Sequence, residues 1–207
     1  MDDGLLIADG VTRCWWCGND PMYRRYHDEA WGRPVGNDRL LFEKLCLEGF
    51  QSGLSWLTIL RKREAFRAAF HDFDIARVAR MNDRDVERLL GDAGIVRHRG
   101  KIEATIGNAR AAEKLIEREG SLAAFVWRFE PDAADRPARV DRAALETLAQ
   151  TPASKALSRA LKADGFRFVG PTTAYAFMQS MGIVNDHLEG CFARAEVERE
   201  RAVFVVP

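Results

Sequence analysis

The sequence has no excess of charge of either sign, since 31 lysines and arginines balance 31 aspartates and glutamates over 207 residues. A neutral chain does not bind nucleic acid through bulk positive charge, so any phosphate-binding surface must be local.

No apolar run approaches the roughly 20 residues of a membrane-spanning helix. The acidic start MDDGLLIADG lacks the basic and apolar parts of a signal peptide, so we expect a cytoplasmic protein.

Cysteine is also scarce, with four residues in the chain. In a reducing cytoplasm these are not expected to form structural disulfides, which leaves free thiols, metal ligands or catalytic groups. The length fits one domain with a sizeable core. We expect that single domain over residues 11–195, with residues 1–10 and 196–207 as tails, and a monomer.

Apolar residues recur at helical spacing almost throughout, and sustained strand-like alternation is missing, so the predicted fold class is all-α. Asp38 is the expected cap of a helix that reaches Gly49, and Ser55 caps one that continues to Phe70. Residues 131–152 are rich in proline and aspartate and predict a surface loop. Further helices are predicted from Asp83 to Gly91 or Gly94, from about Arg99 to Glu119, and near 121–130, 141–150, 154–164 and 171–181.

Two distant segments each offer half of a metal site. His187 and Cys191 are four residues apart, so both side chains can grip one ion, and the N-terminal region offers His27 with either Cys14 or Cys17. Zn²⁺ prefers four nitrogen and sulfur ligands in a tetrahedron. The alternative is that these are ordinary buried cysteines and satisfied histidines, because a remote half-site alone proves little.

Aromatic residues are concentrated between residues 15 and 56, together with one carboxylate, Glu48. Tryptophan and tyrosine can stack on bases, although most aromatic clusters are simply core. Glu48 could equally be a solvated helix-face carboxylate, but neighbouring Leu45, Leu47 and Leu54 favour a pocket. The aromatic candidates for that pocket are Trp16, Tyr23, Tyr26, Trp31 and Trp56.

A basic turn between two predicted helices, over about residues 83–117, forms a helix–hairpin–helix pattern. Glycines let the backbone approach a phosphate, and helix-start amides add partial positive charge. Such an element holds DNA by its backbone without reading sequence. A solvated basic loop is the alternative. The candidate phosphate contacts are Gly94, Arg97, Arg99, Gly100 and Lys101.

Several strings in one order make the chain resemble the 3-methyladenine DNA glycosylase I family over about residues 13–193. They are RCWW, DPMYRRYHDEAWG, LFEKLCLEGFQSGLSWLTILRKRE, GDAGIVRHRGKIEATIGNARA, SKALSRALKADGFRFVGPTTAYAFMQSMGIVNDH and HLEGC. The resemblance implies a helical fold of the helix–hairpin–helix glycosylase type, in which one zinc ion ties residues 11–34 to residues 183–195. The implied ligands are Cys14, His27, His187 and Cys191, and four protein ligands make the zinc structural.

The resemblance also implies excision of 3-methyladenine from alkylated double-stranded DNA. Glu48 then lies at the floor of the base pocket, with Tyr26, Trp56 and Tyr23 around it, and Trp16 and Trp31 nearby. No lysine nucleophile occurs in the matching motifs, which implies hydrolysis without strand cleavage. Phe50 replaces a residue that is more often polar and could alter the pocket wall. The alternatives are a non-catalytic zinc-stabilised module that binds lesions, and a zinc hydrolase with an open metal position.

Overall fold

The computed structural model describes residues 3–207, of which 61% are helical and 4% are in strands. The all-α prediction is therefore confirmed apart from one small hairpin. No helix within this range is long and apolar enough to cross a membrane. The helices are α1 (Pro21–Glu29), α2 (Asp38–Gln51), α3 (Trp56–Arg61), α4 (Arg63–Ala69), α5 (Ile75–Ala79), α6 (Asp83–Leu90), α7 (Arg99–Glu119), α8 (Leu122–Trp127), α9 (Arg142–Thr147), α10 (Pro152–Ala163), α11 (Pro171–Ser180) and α12 (Phe192–Val203).

Helix α2 is central, and every residue from 41 to 50 is buried. The side chain of Asn37 caps it, whereas the predicted cap, Asp38, accepts two hydrogen bonds from N–H groups at the start of α8. Buried charges must be paired, because water cannot solvate them. The buried part of α2 carries three such side chains, Glu43, Lys44 and Glu48.

The helix predicted from Ser55 to Phe70 is divided in two. Ser55 caps α3 as predicted, but the chain leaves helical geometry at Lys62, where φ is −99° and ψ is 0°, before α4 begins. The Lys62 ammonium donates to the carbonyls of Ala93 and Gly94 at 2.8 and 3.1 Å. This contact fixes α3 and α4 against the turn 91–98, which joins α6 and α7 where the sequence predicts them.

The prediction that residues 1–10 and 196–207 are tails is wrong for most of both segments. Strand β1 (Leu5–Ala8) pairs antiparallel with β2 (Val11–Cys14) through the dipeptide Asp9-Gly10. Both turn residues have positive φ, 54° and 72°, as an Asp-Gly hairpin turn requires. At the other end, α12 buries Val197 completely. Of the predicted N-terminal tail, residues 1 and 2 lie outside the described range.

A second glycine-bearing turn, residues 164–170, joins α10 to α11 and lies beside the turn 91–98. The ring centroids of His98 and Phe168 lie 6.3 Å apart. Asn108 of α7 donates to the Arg167 carbonyl at 3.0 Å and accepts from its N–H at 2.8 Å. The two turns therefore form one continuous surface.

Candidate active site and metal centre

A pocket of about 320 Å³ opens between α1, α2, α3, α9 and α11. Helix α9 confirms the helix predicted near 141–150, although it lies within the stretch 131–152 that was predicted as a surface loop. Its residue Leu145 helps to line the pocket. The fold thus brings together, in one wall, all six residues that the sequence analysis selected for base recognition. They are Trp16, Tyr23, Tyr26, Trp31, Glu48 and Trp56.

The aromatic rings of the pocket pack against one another in a continuous wall. Trp16 lies 5.2 Å from Tyr23 and 4.8 Å from Trp31, measured between ring centroids. Tyr23 and Tyr26 are stacked with 27° between their planes, and Tyr26 lies 5.4 Å from Trp56. Ring faces are electron-rich, so such a wall can stack a flat base and attract a cation.

Glu48 is only 5% exposed and has a charged partner that the sequence analysis missed. The ammonium of Lys44, one turn earlier on α2, lies 2.6 Å from Glu48 Oε1. It also donates to the Tyr26 hydroxyl at 2.9 Å and lies 3.1 Å from the centroid of the Trp56 ring. Burial lowers the pKa of Lys44 to about 8, although the Glu48 carboxylate opposes that change.

The two pocket tyrosines are held neutral. Burial, and secondly the negative charge of Glu48, raise the pKa of Tyr23 to about 12. The same two causes, in the same order, raise the pKa of Tyr26 well above its usual value. The phenols therefore act as hydrogen-bonding and stacking groups, and the charged side chains beside them are Glu48 and Lys44.

The α11 side of the pocket was also missed. The Tyr175 hydroxyl and the Gln179 amide donate to the same oxygen of Asp186, at 2.7 and 2.8 Å. Asp186 is completely buried and pairs with Arg136. The four-residue spacing of Tyr175 and Gln179 on α11 was the available signal. This network anchors the pocket wall to the segment that precedes His187.

Behind the aromatic wall, Cys14, His27, His187 and Cys191 form a buried cluster whose ligating atoms all lie within 4.8 Å of one another. Cys191 Sγ lies 3.5 Å from His27 Nε2 and 3.7 Å from His187 Nδ1, and Cys14 Sγ lies 3.8 Å from His187 Nδ1. A tetrahedron with zinc bond lengths has edges of about 3.4–3.8 Å. The donor set and its spacing therefore fit a four-coordinate metal ion.

Neighbouring acceptors orient both histidines. His27 Nδ1 bonds to Asp28 Oδ1 at 2.8 Å, and His187 Nε2 bonds to the Trp31 carbonyl at 3.0 Å. Each acceptor favours the proton on the outer nitrogen, so the inner nitrogen can act as a metal ligand. In His27 that inner nitrogen also accepts from the Cys14 N–H at 3.3 Å. This pairing of ligand and support is typical of metal centres.

Cys17 differs from the two cluster cysteines. The side-chain hydrogen bond between Cys14 and Cys191 raises the pKa of Cys14 and lowers that of Cys191. Cys17 instead donates to the Cys14 carbonyl at 3.1 Å, and burial raises its pKa to about 11. The geometry therefore places Cys14, and not Cys17, in the cluster.

Comparison with known proteins agrees with this architecture. The sequence model of the methyladenine glycosylase family matches residues 16–194. The chain is 51% identical over 183 residues to DNA-3-methyladenine glycosylase 1 of Escherichia coli (strain K12), which covers 87% of this chain and 96% of that protein. It is 46% identical over 184 residues to the DNA-3-methyladenine glycosylase of Haemophilus influenzae (strain KW20), covering 87% and 97%. The chain belongs to the methyladenine glycosylase family.

A solved structure agrees as well. The Staphylococcus aureus 3-methyladenine DNA glycosylase I, solved to explain 3-methyladenine recognition, superposes with a TM-score of 0.80 at 34% identity and covers 94% of this chain and 97% of that one. The family resemblance inferred from the sequence is thus confirmed. The residues matched by the family model include the six aromatic and acidic pocket residues selected from the sequence and three of the four cluster residues, His27, His187 and Cys191.

The basic turn of this family member differs in part from the prediction. Arg97 and Arg99 are exposed, but Arg99 already pairs with Glu87 at 2.5 Å and Glu103 at 3.7 Å. Lys101 is only 8% exposed. Its ammonium donates to the carbonyls of Phe50 and Ser52 at 2.9 and 2.6 Å, so its prediction as a surface phosphate contact is wrong.

Both glycines predicted as phosphate contacts lie close to other side chains, Gly94 in the turn and Gly100 in the first turn of α7. A side chain at Gly94 would come within 3.0 Å of Ala65, and one at Gly100 within 3.3 Å of the His98 ring. Phe50 likewise lies away from the pocket wall, because its ring packs on Phe66 at 4.6 Å. The expected effect of Phe50 on the pocket is therefore not supported by the structure.

Proposed function

We propose that this chain hydrolyses the N-glycosidic bond of 3-methyladenine in alkylated double-stranded DNA, after the damaged nucleotide is flipped out of the helix. The observation that carries the proposal is the buried Glu48 carboxylate in the lining of an aromatic pocket. The names of the curated relatives support the choice of base.

Methylation at N3 gives adenine in DNA a positive charge and weakens its bond to the sugar. The base leaves as a neutral molecule, so a strong general acid is unnecessary. The aromatic wall attracts the cationic base, and Glu48 accepts hydrogen bonds from its edge. Fixed groups in a water-poor pocket then favour the charge distribution of the transition state.

Lys44 does not alter the proposal of hydrolysis without strand cleavage. Cleavage would require an amine to reach the sugar, whereas the Lys44 ammonium is held among Glu48, the Tyr26 hydroxyl and the Trp56 ring and is 3% exposed. We expect intact abasic strands after base release, as seen on a denaturing gel run without alkali or heat.

We further propose that Cys14, His27, His187 and Cys191 hold one structural Zn²⁺. When bound, the ion cross-links the two ends of the chain, and four protein ligands leave no position for water. Trp16 and Trp31 pack on His27 and His187 at 5.1 and 4.7 Å between ring centroids, so the cluster supports the pocket wall.

The decisive experiment incubates the purified protein with duplex DNA treated with a methylating agent and separates the released bases by chromatography. We expect 3-methyladenine and no unmodified adenine. Binding to methylated DNA without base release would favour the non-catalytic lesion-binding module. A metal site with a bound water, detected by X-ray absorption, would favour a zinc hydrolase.

We also propose that the surface formed by turns 91–98 and 164–170 holds the DNA backbone. Arg97→Gln should weaken binding equally on all sequences and lower the salt slope of binding by about one, because one phosphate contact is lost. Arg199→Gln on α12 is the matched control and should leave the slope unchanged. Equal slopes for all three proteins would mean that Arg97 is only a solvated surface residue.

A further inference from the structure

The proposed function leaves Lys44 without a role, although its ammonium lies among the base-recognition residues. It contacts the Glu48 carboxylate at 2.6 Å, the Tyr26 hydroxyl at 2.9 Å and the face of Trp56 at 3.1 Å. A carboxylate and an electron-rich ring face are the two groups that attract a cationic base. The Lys44 ammonium therefore already contacts the same groups that a cationic base would contact.

The ion pair with Lys44 changes the net charge that the base-binding groups present to a ligand. With Lys44 protonated, Glu48 and Lys44 sum to zero, whereas Glu48 alone would present one negative charge. Both side chains are at least 95% buried, and like charges repel strongly where water is scarce. A cationic base and the Lys44 ammonium therefore compete for the Glu48 carboxylate.

The proton of Lys44 is the part of this arrangement that can leave. Burial lowers its pKa to about 8, and Arg63 on α4 acts in the same direction. Glu48 and Glu43 oppose the change, Tyr26 on α1 is neutral, and α8 and α11 carry no charged residue. A neutral Lys44 amine can still hydrogen-bond to its neighbours, so deprotonation leaves the packing intact.

We propose that Lys44 is a specificity-determining residue that competes with the cationic base for Glu48, so that the base binds as Lys44 releases its proton to solvent. The inference rests on the proposed role of Glu48 as the base-binding carboxylate. It sets how strongly the pocket prefers a charged methylated base over a neutral one.

Two small probes test this proposal. The 3,9-dimethyladeninium ion keeps the positive charge of the nucleotide, with the N9 methyl in place of the sugar, whereas free 3-methyladenine is neutral at pH 7. Calorimetry of the whole protein in phosphate and in Tris buffer at pH 7 measures protons released on binding. We expect close to one proton to be released per cation bound. Below pH 8, the affinity for the cation should increase about tenfold for each unit by which the pH is raised.

Lys44→Met fills the same space without charge. At pH 7 we expect it to bind the dimethyladeninium ion at least tenfold more tightly, with no pH dependence, and to bind neutral 3-methyladenine within threefold of the parent. Lys155→Met, on the exposed face of α10, is the matched control and should behave as the parent protein.

The proposal is overturned if the parent protein binds the cation without releasing a proton, or if a folded Lys44→Met variant gains no affinity for it. If that variant does not fold, the proton release by the parent protein decides alone. Excision of 3-methyladenine from DNA with no proton release rejects only the role of Lys44. Failure of the parent protein both to excise the base and to bind either probe rejects the proposed function, and the role of Lys44 with it.

Discussion

Glu48→Gln should lower the rate of 3-methyladenine excision by about 10- to 150-fold, because a hydrogen bond to a charged group is worth about 1.5–3 kcal/mol. The substitution keeps the size of the side chain and one acceptor but removes the negative charge. It also leaves the Lys44 ammonium without its carboxylate partner, beside the position of a cationic base. Single-turnover excision from methylated duplex DNA measures the effect.

Two controls isolate the role of Glu48. Affinity for undamaged duplex should remain unchanged, since that binding comes from the phosphate-contacting surface. Glu43→Gln removes another buried carboxylate of α2, whose partners are Arg63 and Arg67, and should leave excision close to normal at a temperature where the variant is folded. If Glu48→Gln excises the base as fast as the parent protein, then Glu48 is an ordinary buried ion-pair residue.

Cys191→Ser should lower the melting temperature by about 10–20 °C and release the metal. A cross-link that closes a loop of more than 100 residues is worth about 5 kcal/mol, and each kcal/mol shifts the melting temperature of a chain of this size by about 2–4 °C. The bound metal acts as such a cross-link between Cys14 and Cys191. Calorimetric melting and elemental analysis of the purified protein measure both effects.

Cys17→Ser is the matched control, because Cys17 is equally buried but donates to a backbone carbonyl outside the cluster. It should retain one zinc per chain and melt within a few degrees of the parent protein. Similar small losses in both variants would show that the cluster holds no structural metal.

The sequence predicted the helices best where apolar spacing is sustained, as in α7, whose observed bounds match the prediction. It missed the N-terminal hairpin because four-residue strands are too short to show alternation, although Asp9-Gly10 is a strong hairpin signal. It also missed the break at Lys62, because the contacts that stabilise it come from Ala93 and Gly94, far along the chain.

The sequence predicted which residues line the pocket, but it did not predict that the Lys44 ammonium lies beside Glu48. A lysine four residues from a glutamate usually indicates a solvated helix face, and only the burial of α2 on all sides makes Lys44 part of the pocket. For Lys101 the error is the reverse, because a lysine predicted to lie on the surface is buried. Its neighbours Arg97 and Arg99 face solvent, but helical spacing turns Lys101 towards the core with Ile102 and Thr105.

The metal cluster draws its ligands from both ends of the chain, and this has a consequence for protein synthesis. A polypeptide still on the ribosome presents Cys14 and His27 early but gains His187 and Cys191 only near the end of translation. Until then, Trp31 lacks the His187 imidazole on which it packs. A chain cut short by a stop codon ahead of His187 therefore keeps Glu48 and the tyrosines, but not the support that shapes their pocket.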